Sequence, residues 1–134
     1  MEQTFAVLAD FASLTIDNKL NVLGIFDKIV SQSVPAAHPQ MYLVAGYKFE
    51  CAEAGKKDLK VVLIDADGRI LFSLEGEINI VATESGEPCS LSQIFRLGGL
   101  VFPQFGDYEF QVLINGRIES HLPFTVVQLP AQPS

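Results

Sequence analysis

Apolar side chains recur along this chain in runs of about five to twelve residues, and each run ends in turn-forming residues. β-Branched and aromatic residues dominate the runs, the composition of strands. The pattern predicts strands over residues 4–15, 19–30, 40–50, 58–65, 69–81, 92–101, 106–114 and 117–127. Turns fall at Asp17-Asn18, Pro35 to Pro39, Ala54-Gly55, Asp67-Gly68, Glu84 to Pro88, Pro103 to Gly106 and Asn115-Gly116. Strands at this spacing, with no helical pattern between them, indicate an all-β fold: an antiparallel two-layer immunoglobulin-like sandwich of about seven or eight strands. Ser90-Leu91-Ser92-Gln93 has the form of a helix capping box, but Gly98-Gly99 would end such a helix at once, so a strand is expected there.

Register follows from turn chemistry and from keeping one face dry. In the last hairpin Tyr108, Phe110, Val112 and Ile114 share one face, and Ile118, Leu122, Phe124 and Val126 share another. A two-residue Asn-Gly loop would set Arg117, Glu119 and His121 beside the apolar face. A three-residue loop pairing 113 with 117 is therefore expected, with Val112 beside Ile118. For the first hairpin both loops remain open. A two-residue loop puts Asp10 and Asp27 diagonally on one face. A three-residue loop, with Asn18 left-handed, sets Asp10 against Gly24 and Asp27 on the opposite side.

The pattern cannot arbitrate there because both faces are apolar. Phe5, Val7, Ala9 and Phe11 form one, and Leu8, Ala12, Leu14 and Ile16 the other. A sandwich strand ordinarily has one wet face, so two dry ones predict a cover, and a homodimer through these strands is expected.

Length changes the picture little. A chain of 134 residues suits one domain, residues 1–128, with a loose Pro-rich tail over 129–134. Charge changes it more. Nine Lys and Arg against sixteen Asp and Glu give −7, and only Lys56-Lys57 cluster. That balance argues against nucleic acid and anionic membrane surfaces. No segment has the roughly twenty apolar residues of a membrane span, and the first residues show no signal-peptide pattern, so a cytoplasmic location is expected. Cys51 and Cys89 are then expected as free thiols.

The runs ADFASLTIDNKLNVLGIFD, VPAAHPQMYLV, VVLIDADGRI and GLVFPQFGDYEFQVLINGR resemble a family of uncharacterised bacterial proteins of about this length. The resemblance runs from about residue 8 to residue 127. It implies an immunoglobulin-like sandwich and a bacterial source, and it implies no activity, ligand or catalytic position.

Four residues are the candidates for a site. Asp10 and Asp27 could bind metal or act as acid and base; equally, each could serve as an acceptor for strand amides, with Gly24 hinting at a bulge. His38 lies in a Pro-rich loop. Tyr108 enters its strand as a tyrosine corner would, or as a half-buried aromatic. Asp65-Ala66-Asp67-Gly68 suggests a calcium loop, but its twelfth position is Gly76, so a hairpin turn is expected. Zinc motifs, a nucleophile elbow, a phosphate loop and a dinucleotide fingerprint are all missing from the sequence, so no metal site, cofactor or catalytic residue is expected. The leading expectation is a non-catalytic binding or protein-interaction module that self-associates. The alternatives are a small-molecule or carbohydrate binder, and a metal-dependent enzyme using Asp10 and Asp27.

Overall fold

A computed structural model describes residues 1–82 and 84–130. Nine strands form two sheets among these residues: β1 Glu2–Leu14, β2 Leu20–Phe26, β3 Lys28–Ser31, β4 Ala36–Phe49, β5 Gly55–Asp65, β6 Ile70–Ile80, β7 Cys89–Phe102, β8 Gly106–Ile114 and β9 Arg117–Gln128. One sheet runs β2-β1-β4-β7 and the other β3-β9-β8-β5-β6. With β4, β5, β7, β8 and β9 in the places of B, C, E, F and G, this is an immunoglobulin-like sandwich. The segment over residues 90–95 is strand, as expected; the one helical element among the described residues is a 3-10 turn at Cys51–Glu53.

The strand expected over 19–30 is two strands, which raises the count to nine. β2 pairs with β1, the chain bends at Asp27, and β3 crosses to the other sheet. There it runs parallel to β9, the one parallel pairing among the described residues. Leu129 extends this clasp by donating its N–H to Ser31 O at 2.8 Å. The remainder of the tail, residues 131–134, lies outside the described residues.

Inward side chains of both sheets merge in one core. Leu8, Met41, Leu43, Tyr47, Val61, Leu63, Phe102, Phe110, Val112 and Val126 are almost wholly buried there. Tyr108, Phe102, Phe124 and Phe110 make an aromatic stack with ring centroids 5.1–5.7 Å apart. The outer face of the first sheet carries a second, small cluster of Tyr42, Val44 and Ala12. Leu20 and Val22 pack against it together with Phe5, Val7 and Ile94. Part of the predicted cover is therefore the chain's own hairpin.

The two hairpin registers divide. β1 and β2 pair as Leu14 with Leu20 through Leu8 with Phe26, and Asn18 is left-handed at φ 61°. That is the three-residue loop. β8 and β9 instead turn through two residues, Asn115 and Gly116, both with positive φ, so Ile114 faces Arg117. The three-residue loop expected there does not form. A bulge between Val112 and Leu113 in the pairing then shifts the ladder by one residue. Val112 faces Ser120, not Ile118, and Ile118 is exposed. The bulge, not the loop, resolves the clash between Asn-Gly turn chemistry and a dry inner face.

Candidate functional site

The first hairpin and its surroundings gather most of the residues singled out by sequence. Asp10 is exposed and sits over Gly24, in the gap between the Ala9–Ile25 and Phe11–Leu23 pairs of the β1–β2 ladder. Gly24 takes φ +71°, and a Cβ there would stand 2.5 Å from Asp10 Oδ2. Asp27 occupies the bend between β2 and β3, and its carbonyl accepts the Thr125 N–H at 3.1 Å, the first rung toward β9. Its side chain is exposed. The register thus sets Asp10 against Gly24, and the two aspartates are not cross-strand partners. Among the described residues no group of three or more His, Cys, Asp or Glu is arranged to hold a metal ion.

Asp27 lines an open groove of about 400 Å³ where the chain passes from one sheet to the other. Its other walls are Ala6, Val7, Leu8, Ile25, Phe26, Leu122 and Pro123. His38 stands nearby. It belongs to β4, paired with Leu100, and not to a Pro-rich loop; its half-buried ring lies 5.8 Å from that of Phe26. Pro39 is tolerated in this strand because the β1 pairing ends at Ala9 with Tyr42, leaving that side of β4 without a ladder partner.

Tyr108 lies across the β8–β9 ladder, paired with Phe124 next to the groove-lining Pro123. Its hydroxyl donates to Gln104 O at 2.7 Å and accepts the Gln104 N–H at 3.2 Å, with the ring buried. This is a tyrosine corner, and its hydroxyl is fully spent on the loop before β8. The Asp65 carboxylate is likewise spent: Oδ1 accepts the N–H groups of Asp67 and Arg69, both at 2.9 Å, closing the β5–β6 turn. Cys51 and Cys89 are free thiols, donating weakly to Glu87 O and Val81 O respectively. On the exposed side of the second sheet Gln111 Nε2 donates to Glu109 at 2.7 Å, and His121 approaches the same oxygen at 3.2 Å. Those contacts, Gln111 first, hold the Glu109 carboxyl below its ordinary range.

Sequence reasoning missed two features here. The first is a buried polar pair, Tyr47 Oη and Ser120 Oγ at 2.7 Å; nothing in the sequence links residues so far apart. The second is the character of the sheet edges. Of the four edge strands, β7 carries Arg96, β6 carries Glu75 and Glu77, and β3 carries Lys28. β2, LNVLGIF, carries no charge and no proline. Leu23 is 62% and Ile25 64% exposed, and Phe11 of β1 lies opposite Leu23 at 43%. An uncharged apolar edge is what sheet proteins ordinarily avoid. The signal was legible in the composition of residues 20–26, once the structure had shown that this segment is an edge.

No curated protein matches this chain. Among solved structures, it is similar to Pseudomonas fluorescens alkylpurine DNA glycosylase AlkC bound to DNA containing an abasic site analog. The identity is 10% and the TM-score 0.45, over 75% of this chain and 27% of that one. The chain thus spans about a quarter of the length of that structure's chain. No helix among the described residues is long and apolar enough to cross a membrane. The family model for a family of unknown function, DUF6941, matches residues 4–127, and the chain belongs to that family.

Proposed function

We propose that this chain is a non-catalytic interaction module that acts by binding protein, and that it self-associates through the β1–β2 hairpin. The observation that carries the reading is the β2 edge: seven residues without charge or proline, beside exposed Phe11, Leu23 and Ile25. Its free N–H and C=O groups form a template for another strand, and the apolar face supplies the burial that makes such pairing stable. Two bodies each carrying −7 repel, and an uncharged seam is where their approach costs least. The free thiols of Cys51 and Cys89 fit a reducing compartment.

Light scattering or sedimentation at micromolar concentration tests this. The expected mass is twice that of the chain, and Leu23→Arg, an exposed substitution, should return it to one. A wild-type monomer at that concentration overturns the reading.

A further inference from the structure

We infer that the groove beside Asp27 accepts an extended segment of a partner protein, which adds as a strand along the open side of β1 and brings a Lys or Arg to Asp27. The inference rests on the protein-binding half of the function proposed above and uses a different surface from the β2 edge.

β1 lies between β2 and β4. Its ladder with β4 runs from Glu2 to Ala9, whereas its ladder with β2 begins only at Leu8. Past that point the chain bends at Asp27 and leaves for β9. Residues 2–7 therefore have a strand on one side only. A bulge between Gln3 and Phe5 twists the start of this stretch, so residues 5–7 are its regular portion. They carry no charge and no proline. The facing wall, β9, is also open on this side up to Phe124, because β3 joins it from Thr125 onward. There Arg117, Glu119 and Pro123 supply the ordinary defences of an edge, charge and a missing N–H. β1 is thus the template for an added strand, and β9 is the opposite wall.

The core is unfinished at the same place. Ala6, Phe26 and Leu122 pack against it yet are only partly buried, and all three line the groove. A strand laid along residues 5–7 completes backbone and core together: its main chain bonds to β1, and its inward apolar side chains close over Ala6, Phe26 and Leu122. Charge sets the chemistry of that segment. Asp27 is the one charged residue lining the groove, and it is exposed. Among the described residues no Lys, Arg or His forms an ion pair with it. The other charges on this side are Glu2 at the far end of the open stretch, Lys48 opposite Glu2 on β4, and Lys28, which enters the second sheet with β3. The whole chain carries −7. A segment that is apolar at alternate positions and basic at the Asp27 end fits this surface, and an acidic one is repelled.

A capped hexapeptide of alternating valine and threonine with one terminal lysine tests this, titrated to millimolar concentration into the isotope-labelled full chain. Chemical shifts should move at residues 5–8 and 25–27, and amide exchange should slow at residues 5–7. Changing the peptide's lysine to glutamate should weaken binding by about fivefold or more. Of the two alternate patterns of backbone N-methylation, one should abolish binding, because one edge of the peptide pairs. Asp27→Lys should invert the preference, so that the glutamate peptide binds better than the lysine one. Leu23→Arg, which alters only the β2 edge, should bind as the wild type does. No binding at millimolar peptide, peptide-dependent slowing at residues 20–24 instead of 5–7, or an unchanged preference in Asp27→Lys overturns the inference and leaves self-association through β2 standing. Slowing at residues 5–7 that rises with protein concentration alone also overturns it, because a second copy is then the occupant. Peptide binding by a wild-type chain that scatters as a monomer upholds the groove and removes the self-association.

Discussion

Tyr47 and Ser120 show how one buried polar pair sets a pH limit on the fold. Burial pushes the Tyr47 phenol up, the Ser120 contact opposes this, and the neighbouring Glu119 charge adds to the rise. The folded chain therefore keeps the phenol neutral at a pH where the unfolded chain ionises it. Full stability from this group is present below about pH 10, the ordinary tyrosine value, and is lost as pH climbs above it toward the raised one. Tyr47→Phe should flatten that alkaline fall in denaturant melts. At neutral pH it should also cost about 1–3 kcal/mol, because Ser120 Oγ is left buried without a partner. Ser120→Ala should cost a similar amount, and the double variant less than the sum of the two. Additive costs would mean that the hydroxyls do not depend on each other. The Ser120 contact was illegible beforehand for a simple reason: the expected register set the serine on the inward face beside Phe110, but its partner Tyr47 lies on the other sheet, which strand alternation does not reach.

Two glycines mark where strands could not be ordinary, and for different reasons. Gly24 combines φ +71° with the Asp10 carboxylate above it, so Gly24→Ala strains the backbone itself, by about 1–2 kcal/mol. Gly46 has no such φ; its Cα is roofed by the Phe5 ring and the Thr4 hydroxyl. Double-variant melts separate the cases. The cost of Gly24→Ala should persist when Asp10→Ala is added, whereas the cost of Gly46→Ala should shrink when Phe5→Ala is added. Equal behaviour at both sites would contradict this division. The same contrast measures how far the sequence could be read. Alternation placed the strands and the β8 core face, and Phe105-Gly106-Asp107-Tyr108 pointed to the corner. What alternation could not show was a break inside a continuous apolar run. Residues 19–30 look like one strand because β2 and β3 are each apolar, and only the bend at Asp27 assigns them to different sheets. The candidate site was legible to the same extent: two dry faces suggested a cover, but which strand ends as the uncharged edge is a property of topology.

A single core spans both sheets, and the parallel β3–β9 clasp ties the first hairpin to the last strand. Opening either sheet exposes the other, so unfolding of the sandwich should be one transition. Self-association is linked to that same transition, because a dimer that exists only for folded chains is favoured by mass action. For two chains unfolding together, a hundredfold rise in concentration is worth RT ln 100, about 2.7 kcal/mol per dimer. Spread over two chains of this length, that shifts the melting temperature by about 3–6 °C. The chain lacks Trp, so far-UV circular dichroism or tyrosine emission has to follow the melt. Wild-type Tm should climb with concentration within the dimeric range, and that of Leu23→Arg should stay flat at the low-concentration wild-type value. The variant's flat line matters as much as the wild-type slope. A surface substitution at Leu23 that lowered Tm at every concentration would be acting on the sandwich itself, and the link between the β2 edge and whole-molecule stability would fail.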